Sequence, residues 1–252
     1  IVFNHAQTAF VDKYIEGCCE PYVSRDCLKV VVADDCGLSN KPLVRKHKNR
    51  SDILFLSRDP TPKMPGHIQQ IDSLYYALSY IKKSTKLENA MIHLLDGDDF
   101  YAKGFTLVSP KFIGKFRINF RHEIQISDDF QTKDKDVVCK DVVIKLRPHQ
   151  LWPNILPTSG LSVSYEFLEK FRHIIQNKRL GTTWLDTRIN LILFRLNKNQ
   201  EISHKDATGF YRVFHGQNAS MQPSWERLKM YISSFRFQCY IFYQIRELRR
   251  KK

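Results

Sequence analysis

The sequence predicts an α/β fold: a mixed, mainly parallel sheet flanked by helices, with a helical tail at the C-terminal end. Three observations carry the prediction. "LKVVVADD" (28–35), "SDILFLS" (51–57) and "AMIHLL" (90–95) contain runs that are apolar throughout, as strands buried on both faces of a parallel sheet are. Segments with helical spacing fill the intervals between them. Strand, helix, strand, helix, strand over the first hundred residues is the order of an α/β unit.

The elements follow in order. "TAFVDKYIEGCCEPYV" (8–23) spaces its apolar residues as a helix does. After the breaker "PTPKMPG" (60–66), residues 68, 71, 74, 75, 78 and 81 are apolar, which predicts a helix over 67–84. Residues 123–150 read as strands broken by a polar loop, and helices are expected over 164–179 and 183–199. A globular domain is expected over 1–221 and a basic amphipathic tail over 222–252.

At 252 residues the chain can bury a sizeable core. It opens on Ile1 without a Met, so a missing N-terminal piece is expected; no signal peptide and no apolar run of spanning length is read. Six cysteines, at 18, 19, 27, 36, 139 and 239, form no CxxC pair. Free thiols in a reducing compartment follow, hence a cytoplasmic location. A net charge of +14 asks for an anionic partner: nucleic acid, nucleotide phosphates or an acidic membrane surface.

Against that charge, two of the strand-like runs end in acids: Asp34-Asp35 after "LKVVVA", and Asp96-Gly97-Asp98-Asp99 after "AMIHLL". Ligands of open parallel sheets bind beyond the carboxyl ends of the strands. Alternate carboxylates around Gly97 can converge on one point, and hard oxygen donors suit Mg²⁺ or Mn²⁺ bridging to substrate phosphates. The alternative for the Asp-Gly-Asp stretch taken alone is a solvated turn. Asp128-Asp129 has no buried strand before it and reads as a solvated loop.

The order of these motifs resembles a glycosyltransferase of the GT-A, Rossmann-like fold, closest to the inverting glycosyltransferase family 2. "IVFNHA" (1–6) stands where that family's first strand ends in an Asn, here Asn4. "VVVADDCGLS" (30–39) stands for its Asp-Asp-Gly-Ser, and "LLDGDDFY" (94–101) for its Asp-x-Asp-Asp metal motif. "TTWLDTRINL" (182–191) keeps the Asp of the Glu-Asp motif as Asp186, with Leu185 in place of the Glu. "YRVFHGQNAS" (211–220) matches Tyr-Arg-x-His-x-x-Asn-x-Ser with one extra residue before the His. The resemblance spans about residues 1 to 221. The family's Arg before the second long helix is absent, and neither Lys63 nor His67 is assigned in its place.

The resemblance implies roles. Asn4 would lie beside the base, and Asp34 or Asp35 would contact the uracil or ribose. Asp96 would face ribose or metal, Asp98 would be the main ligand of Mn²⁺ or Mg²⁺, and Asp99 would hold the donor sugar or the loop. His215 would be a metal ligand or diphosphate contact, or else a loop histidine. Arg212 would pair with a phosphate, or else be a surface charge. Asp186 would be the base that takes the acceptor hydroxyl's proton, a role compatible with that of a helix-start acid. "PTSGLS" (157–162) would let donor or acceptor approach.

The implied activity is sugar transfer from a nucleotide-diphosphate sugar, UDP-linked, to a hydroxyl of a glycan or lipid-linked acceptor, in the setting of bacterial surface polysaccharide. A nucleotidyl- or phosphotransferase would use the same metal–diphosphate logic without a base at Asp186. A nucleic-acid-binding protein would have no reason to end strands in acids that repel phosphates, so no nucleic-acid partner is expected. The tail "SWERLKMYISSFRFQCYIFYQIRELRRKK" (224–252) carries eight basic residues and two acids, and Trp225, Leu228, Ile232, Phe235, Cys239 and Phe242 share one helical face. That face is expected to pack on the domain over its first half, with the last turns reaching an anionic membrane surface on the cytoplasmic side.

Overall fold

The computed structural model describes residues 1–18, 27–60, 66–83, 85–102, 109–127, 140–145, 155–180, 183–214 and 224–250. Four parallel strands open the fold: β1 (Val2–Asn4), β2 (Lys29–Ala33), β3 (Ile53–Ser57) and, after the short β4 (Met91–His93), β5 (Leu95–Asp96). Their order is β3-β2-β1-β5. The β-branched residues of β2 are buried on both faces, as the sequence predicts. Val30 and Val32 join the main core, and Val31 joins a second, smaller core on the other side. Phe3 and Val2 of β1 divide in the same way. Short helices α1 (Thr8–Lys13) and α2 (Asn40–Lys46) supply Val11 and Leu43 to the smaller core. The long α3 (Gly66–Ile81) lines the main core with Ile68, Ile71, Leu74 and Leu78.

The run "AMIHLL" is one strand in the sequence reading and two in the structure. β5 continues the parallel sheet beside β1, whereas β4 pairs antiparallel with β11 (Leu161–Ser164). Leu94 lies between them and donates its N–H to the Leu161 carbonyl at 3.2 Å, while the Leu95 N–H turns to Ile1 at 3.0 Å. The chain thereby passes from one sheet to the next without losing a backbone hydrogen bond. The second sheet has the order β4-β11-β8-β7, closed by the hairpin of β7 (Lys111–Ile113) and β8 (Phe116–Phe120). Gly114 turns that hairpin at φ 60°, in the left-handed region that favours glycine.

A third sheet sets β13 (Gly209–Phe214) between β6 (Asp99–Tyr101) and β9 (His122–Ser127), and β10 (Lys140–Ile144) pairs with β12 (Ile202–Ala207). The helix expected over 8–23 ends its α-helical part at Lys13 and continues as a wider π-helical turn to Cys18, which buries both Tyr14 and Ile15. The helix expected over 164–179 is broken into α4 (Tyr165–Lys170) and α5 (Arg172–Ile175). Phe171 at the break is buried and packs its ring 5.6 Å from Phe116 and 5.1 Å from Phe167. α6 (Leu185–Leu196) is almost wholly internal.

The tail forms one helix, α7 (Ser224–Arg250), and it is no free appendage. Phe237, Ile241 and Ile245 enter the main core, where the buried Arg188 of α6 sets its guanidinium 5.4 Å from the Phe237 ring. The face expected to pack is the one turned outward: Leu228, Ile232, Phe235, Cys239 and Phe242 are exposed. α7 carries two apolar stripes, and the shorter one, spaced by four residues, fits the surface of α6. The boundary drawn between 221 and 222 falls outside the described residues. No described helix is long and apolar enough to cross a membrane.

Candidate active site

In a parallel sheet every strand delivers its C-terminal residue to the same edge. Here that edge receives Asn4 and His5 from β1, Asp34 and Asp35 from β2, and Asp96 with the following turn from β5. Two corners result.

The first corner lies over β1 and β2. Asn4 is buried, and its amide is committed to the protein. Its Nδ2 donates to Asn40 Oδ1 at 3.0 Å, and its Oδ1 accepts the Gln7 N–H at 3.1 Å. Asn40 in turn donates to the Leu56 carbonyl at 2.7 Å. Asn4 therefore fixes the β1–α1 turn. His5, which the sequence reading passed over, is the exposed group here. Its side chain is 68% exposed, and Nδ1 sits 2.8 Å from Asp34 Oδ1. The hydrogen bond to the Asp34 carboxylate holds the imidazole above its ordinary pKa. Asp35 closes the β2–α2 turn by accepting from the Ser39 N–H at 2.9 Å and from the Ser39 hydroxyl. Its other oxygen, Oδ1, is buried and accepts no hydrogen bond among the described residues.

The second corner is acidic. Gly97 and Asp98 form the turn between β5 and β6, and Asp98 and Asp99 are only 8% and 3% exposed. A Cβ on Gly97 would sit 2.6 Å from the Phe3 carbonyl oxygen and 2.6 Å from Gln7 Oε1. Only glycine lets this turn lie against the β1–α1 turn, and that contact joins the two corners. The acids are tied by Ser159, whose Oγ accepts the Asp96 N–H at 3.0 Å and donates to Asp99 Oδ2 at 2.6 Å. Gln70 of α3 donates to Asp96 Oδ1 at 2.6 Å. Arg212 stands opposite Asp99 in the β13–β6 register and pairs with Glu123 at 3.1 Å.

Asp186 occupies the first turn of α6, where its Oδ1 accepts from the N–H and the hydroxyl of Thr187. Asn190 fixes the surroundings by donating to the Asp186 carbonyl at 2.8 Å and to the Leu156 carbonyl at 2.9 Å, so α6 is bound to the strand-side segment that leads to Ser159. Leu185, at the position where the Glu was expected, is fully buried in the main core.

Electrostatically the four carboxylates feel one another. Burial raises Asp96 well above the ordinary carboxylate range, and the neighbouring Asp99, Asp98 and Asp186 raise it further. Burial and the Asp98 charge push Asp99 up to about 7. Burial pushes Asp186 up to about 6, opposed by its bonds to Thr187 and by Arg212. The donors are hard oxygens in a surplus of negative charge, the chemistry that suits a divalent cation. Among the described residues no three His, Cys, Asp or Glu side chains gather as a ready ligand set. Mg²⁺ and Mn²⁺ sites with one or two carboxylates plus waters and substrate phosphates need none.

His215 lies outside the described residues, as do Lys63 and Asp128-Asp129. Besides His5, the sequence reading missed Gln70, Ser159 and Asn190. Ser159 sits in the "PTSG" stretch read as a place of close approach, and there it acts as a bridge between acids. Arg121 gave no signal at all. It is fully buried, its guanidinium 4.5 Å from the Tyr101 ring centroid, and its backbone N–H donates to the Gly160 carbonyl at 2.9 Å, which supports the turn that carries Ser159.

No family model matches the chain, and no curated protein matches it in sequence. Among solved structures it is similar to residues 1–349 of S. aureus TarS, a glycosyltransferase whose structure was solved in complex with UDP. The TM-score is 0.50 and the identity 11%, over 91% of this chain and 68% of that one. The likeness shows a shared fold, a mixed α/β architecture with a parallel sheet flanked by helices. At that identity the likeness speaks for architecture, and the two corners must carry the chemistry on their own residues.

Proposed function

We propose that this chain is a metal-dependent, inverting glycosyltransferase that moves a sugar from a UDP-sugar to a hydroxyl of a glycan or lipid-linked acceptor. The observation that carries the reading is the placing of Asp96, Asp98 and Asp99 at the carboxyl edge of the parallel sheet, with Asp96 in electrostatic reach of Asp186 at the start of α6. The likeness of the fold to a UDP-bound glycosyltransferase supports the choice of donor.

The nucleoside belongs in the first corner. Asp35 Oδ1, buried with no donor among the described residues, can accept an N–H from a base or an O–H from a ribose. His5, whose imidazole the hydrogen bond to Asp34 holds above its ordinary pKa, faces outward beside it, and Arg212 can pair with a phosphate. Asp98 and Asp96, with His215, would hold a divalent cation, which when bound neutralises charge on the leaving diphosphate. In the transfer, the acceptor oxygen forms its bond to the anomeric carbon as the bond from that carbon to the diphosphate oxygen breaks. The electron pair leaves with the diphosphate, and the acceptor's proton passes to the Asp186 carboxylate. Attack opposite the leaving group inverts the anomeric centre.

The test is a panel of nucleotide sugars incubated with the protein and Mn²⁺, read as release of nucleoside diphosphate. UDP release that requires the cation is expected, and Asp98→Asn is expected to abolish it with a melting temperature no lower than that of the unchanged protein. Cation-independent release, or equal release by Asp98→Asn, would overturn the reading.

A further inference from the structure

We propose that the outward stripe of α7 docks this protein on an anionic lipid surface. The inference does not depend on the activity proposed above. Leu228, Ile232, Phe235, Phe242 and Tyr243 lie along one side of the helix, each between 45% and 61% exposed, with Cys239 exposed among them. At 1.5 Å per residue the stripe from 228 to 243 is about 22 Å long. It is separate from the seam of Phe237, Ile241 and Ile245, which is already spent on the core. An apolar stripe of this length on a soluble body marks a contact surface.

The rim decides what the contact is. Lys229, Arg236 and Arg246 are exposed beside or at the end of the stripe, and the Arg195 guanidinium of α6 lies 5.2 Å from the Phe242 ring. The sequence from 224 to 252 holds eight basic residues against Glu226 and Glu247. A second copy would bring the same basic rim and the same "RELRRKK" stretch against itself, a like-charge contact that costs association. An anionic membrane meets the rim with opposite charge. Aromatic and aliphatic side chains flanked by Lys and Arg are what a helix needs to lie in the headgroup layer with its apolar face sunk about 5–10 Å. Because the inner seam holds α7 to α6, the stripe is rigidly presented and loses little freedom on docking.

The experiment is co-sedimentation of the full chain with vesicles of phosphatidylglycerol and phosphatidylcholine, and with phosphatidylcholine alone. Binding to the anionic vesicles only is expected, weakening as salt is raised. Phe235→Glu is expected to weaken it by about tenfold or more, with melting temperature and UDP binding unchanged because the residue is exposed. The triple change Lys229→Gln, Arg236→Gln, Arg246→Gln is expected to cost about a hundredfold, from three basic groups near the surface. Failure of the unchanged protein to sediment with anionic vesicles, or equal binding by Phe235→Glu, would overturn the proposal. So would a dimer in sedimentation velocity that Phe235→Glu converts to monomer, since a second copy would then cover the stripe.

Discussion

Asp186→Asn separates a proton acceptor from a helix-start acid. The substitution keeps the shape of the side chain and an oxygen for the Thr187 N–H, and it removes the charge. In the folded protein burial raises the carboxyl from 3.8 to about 6. It is then roughly ten to one ionised at pH 7, the state a general base requires. The folded pKa lies above the unfolded one, so the stability linked to this group is fully present below about pH 4 and is lost as pH rises through about 6. The wild type thus carries at neutral pH a penalty of at most about 3 kcal/mol, less in practice because the group is half-buried and partly solvated. The asparagine variant escapes that penalty. Its melting temperature at pH 8 is expected to equal or exceed that of the wild type, and its stability is expected to depend less on pH between 4 and 7. Turnover is expected to fall about 10²- to 10⁴-fold, with UDP affinity nearly unchanged and the acidic limb near pH 6 gone from the rate profile. Melting curves, UDP titration and turnover on one preparation make the comparison. Near-normal turnover together with a lowered melting temperature would refute the base role and leave Asp186 as a helix-start acid.

Two further substitutions probe the frame. Gly97→Ala places a methyl 2.6 Å from the backbone oxygen of Phe3, which cannot give way as a side-chain tip can. It is expected to cost about 1–3 kcal/mol and to weaken UDP binding, and a variant with wild-type melting temperature and affinity would show that the two corners are not coupled through this turn. Phe237→Ala removes a fully buried ring from the seam between α7 and α6 and is expected to cost about 3–5 kcal/mol, read as a lowered midpoint in urea; an unchanged midpoint would mean that α7 is not part of the folding unit.

The parallel half of the fold was legible because burial on both faces writes itself into consecutive apolar residues, as in "KVVVA". The acids at strand ends were legible because a basic chain makes them conspicuous. What stayed hidden depended on partners distant in sequence. Leu94 hands the chain from β4 to β5 because the Leu161 and Ile1 carbonyls accept from adjacent N–H groups, and no local pattern encodes that. On α7, periodicity revealed a stripe but not which surface would meet it; the contour of α6 chose Phe237, Ile241 and Ile245 instead. Asn4 matched the expected motif position, yet Asn40 and Gln7 absorb its amide, and the neighbouring His5 is the group that faces out. Ser159 was noted for its small size, whereas its hydroxyl between Asp96 and Asp99 follows only from the three-dimensional approach of the 158–160 turn to β5 and β6.

The choice between a solvated turn and a ligand site at Asp96-Gly97-Asp98-Asp99 can be argued from burial. Asp and Gly favour turns because water solvates the carboxylates at little cost. Here Asp98 and Asp99 are nearly covered, and Asp99 is pushed to about 7 partly by its neighbour. Crowding like charges out of water costs free energy, and a turn selected for folding alone would let them point outward. The surrounding structure does the opposite. Gly97 is pressed against Phe3, Ser159 clamps two of the acids, Gln70 holds Asp96, and Arg212 is placed across from Asp99. Several independent contacts at the carboxyl edge of a parallel sheet thus hold the crowded acids in place, as the proposed cation site requires. A cation bound between such carboxylates would relieve their repulsion, so the same groups that weaken the free protein would become the source of its affinity.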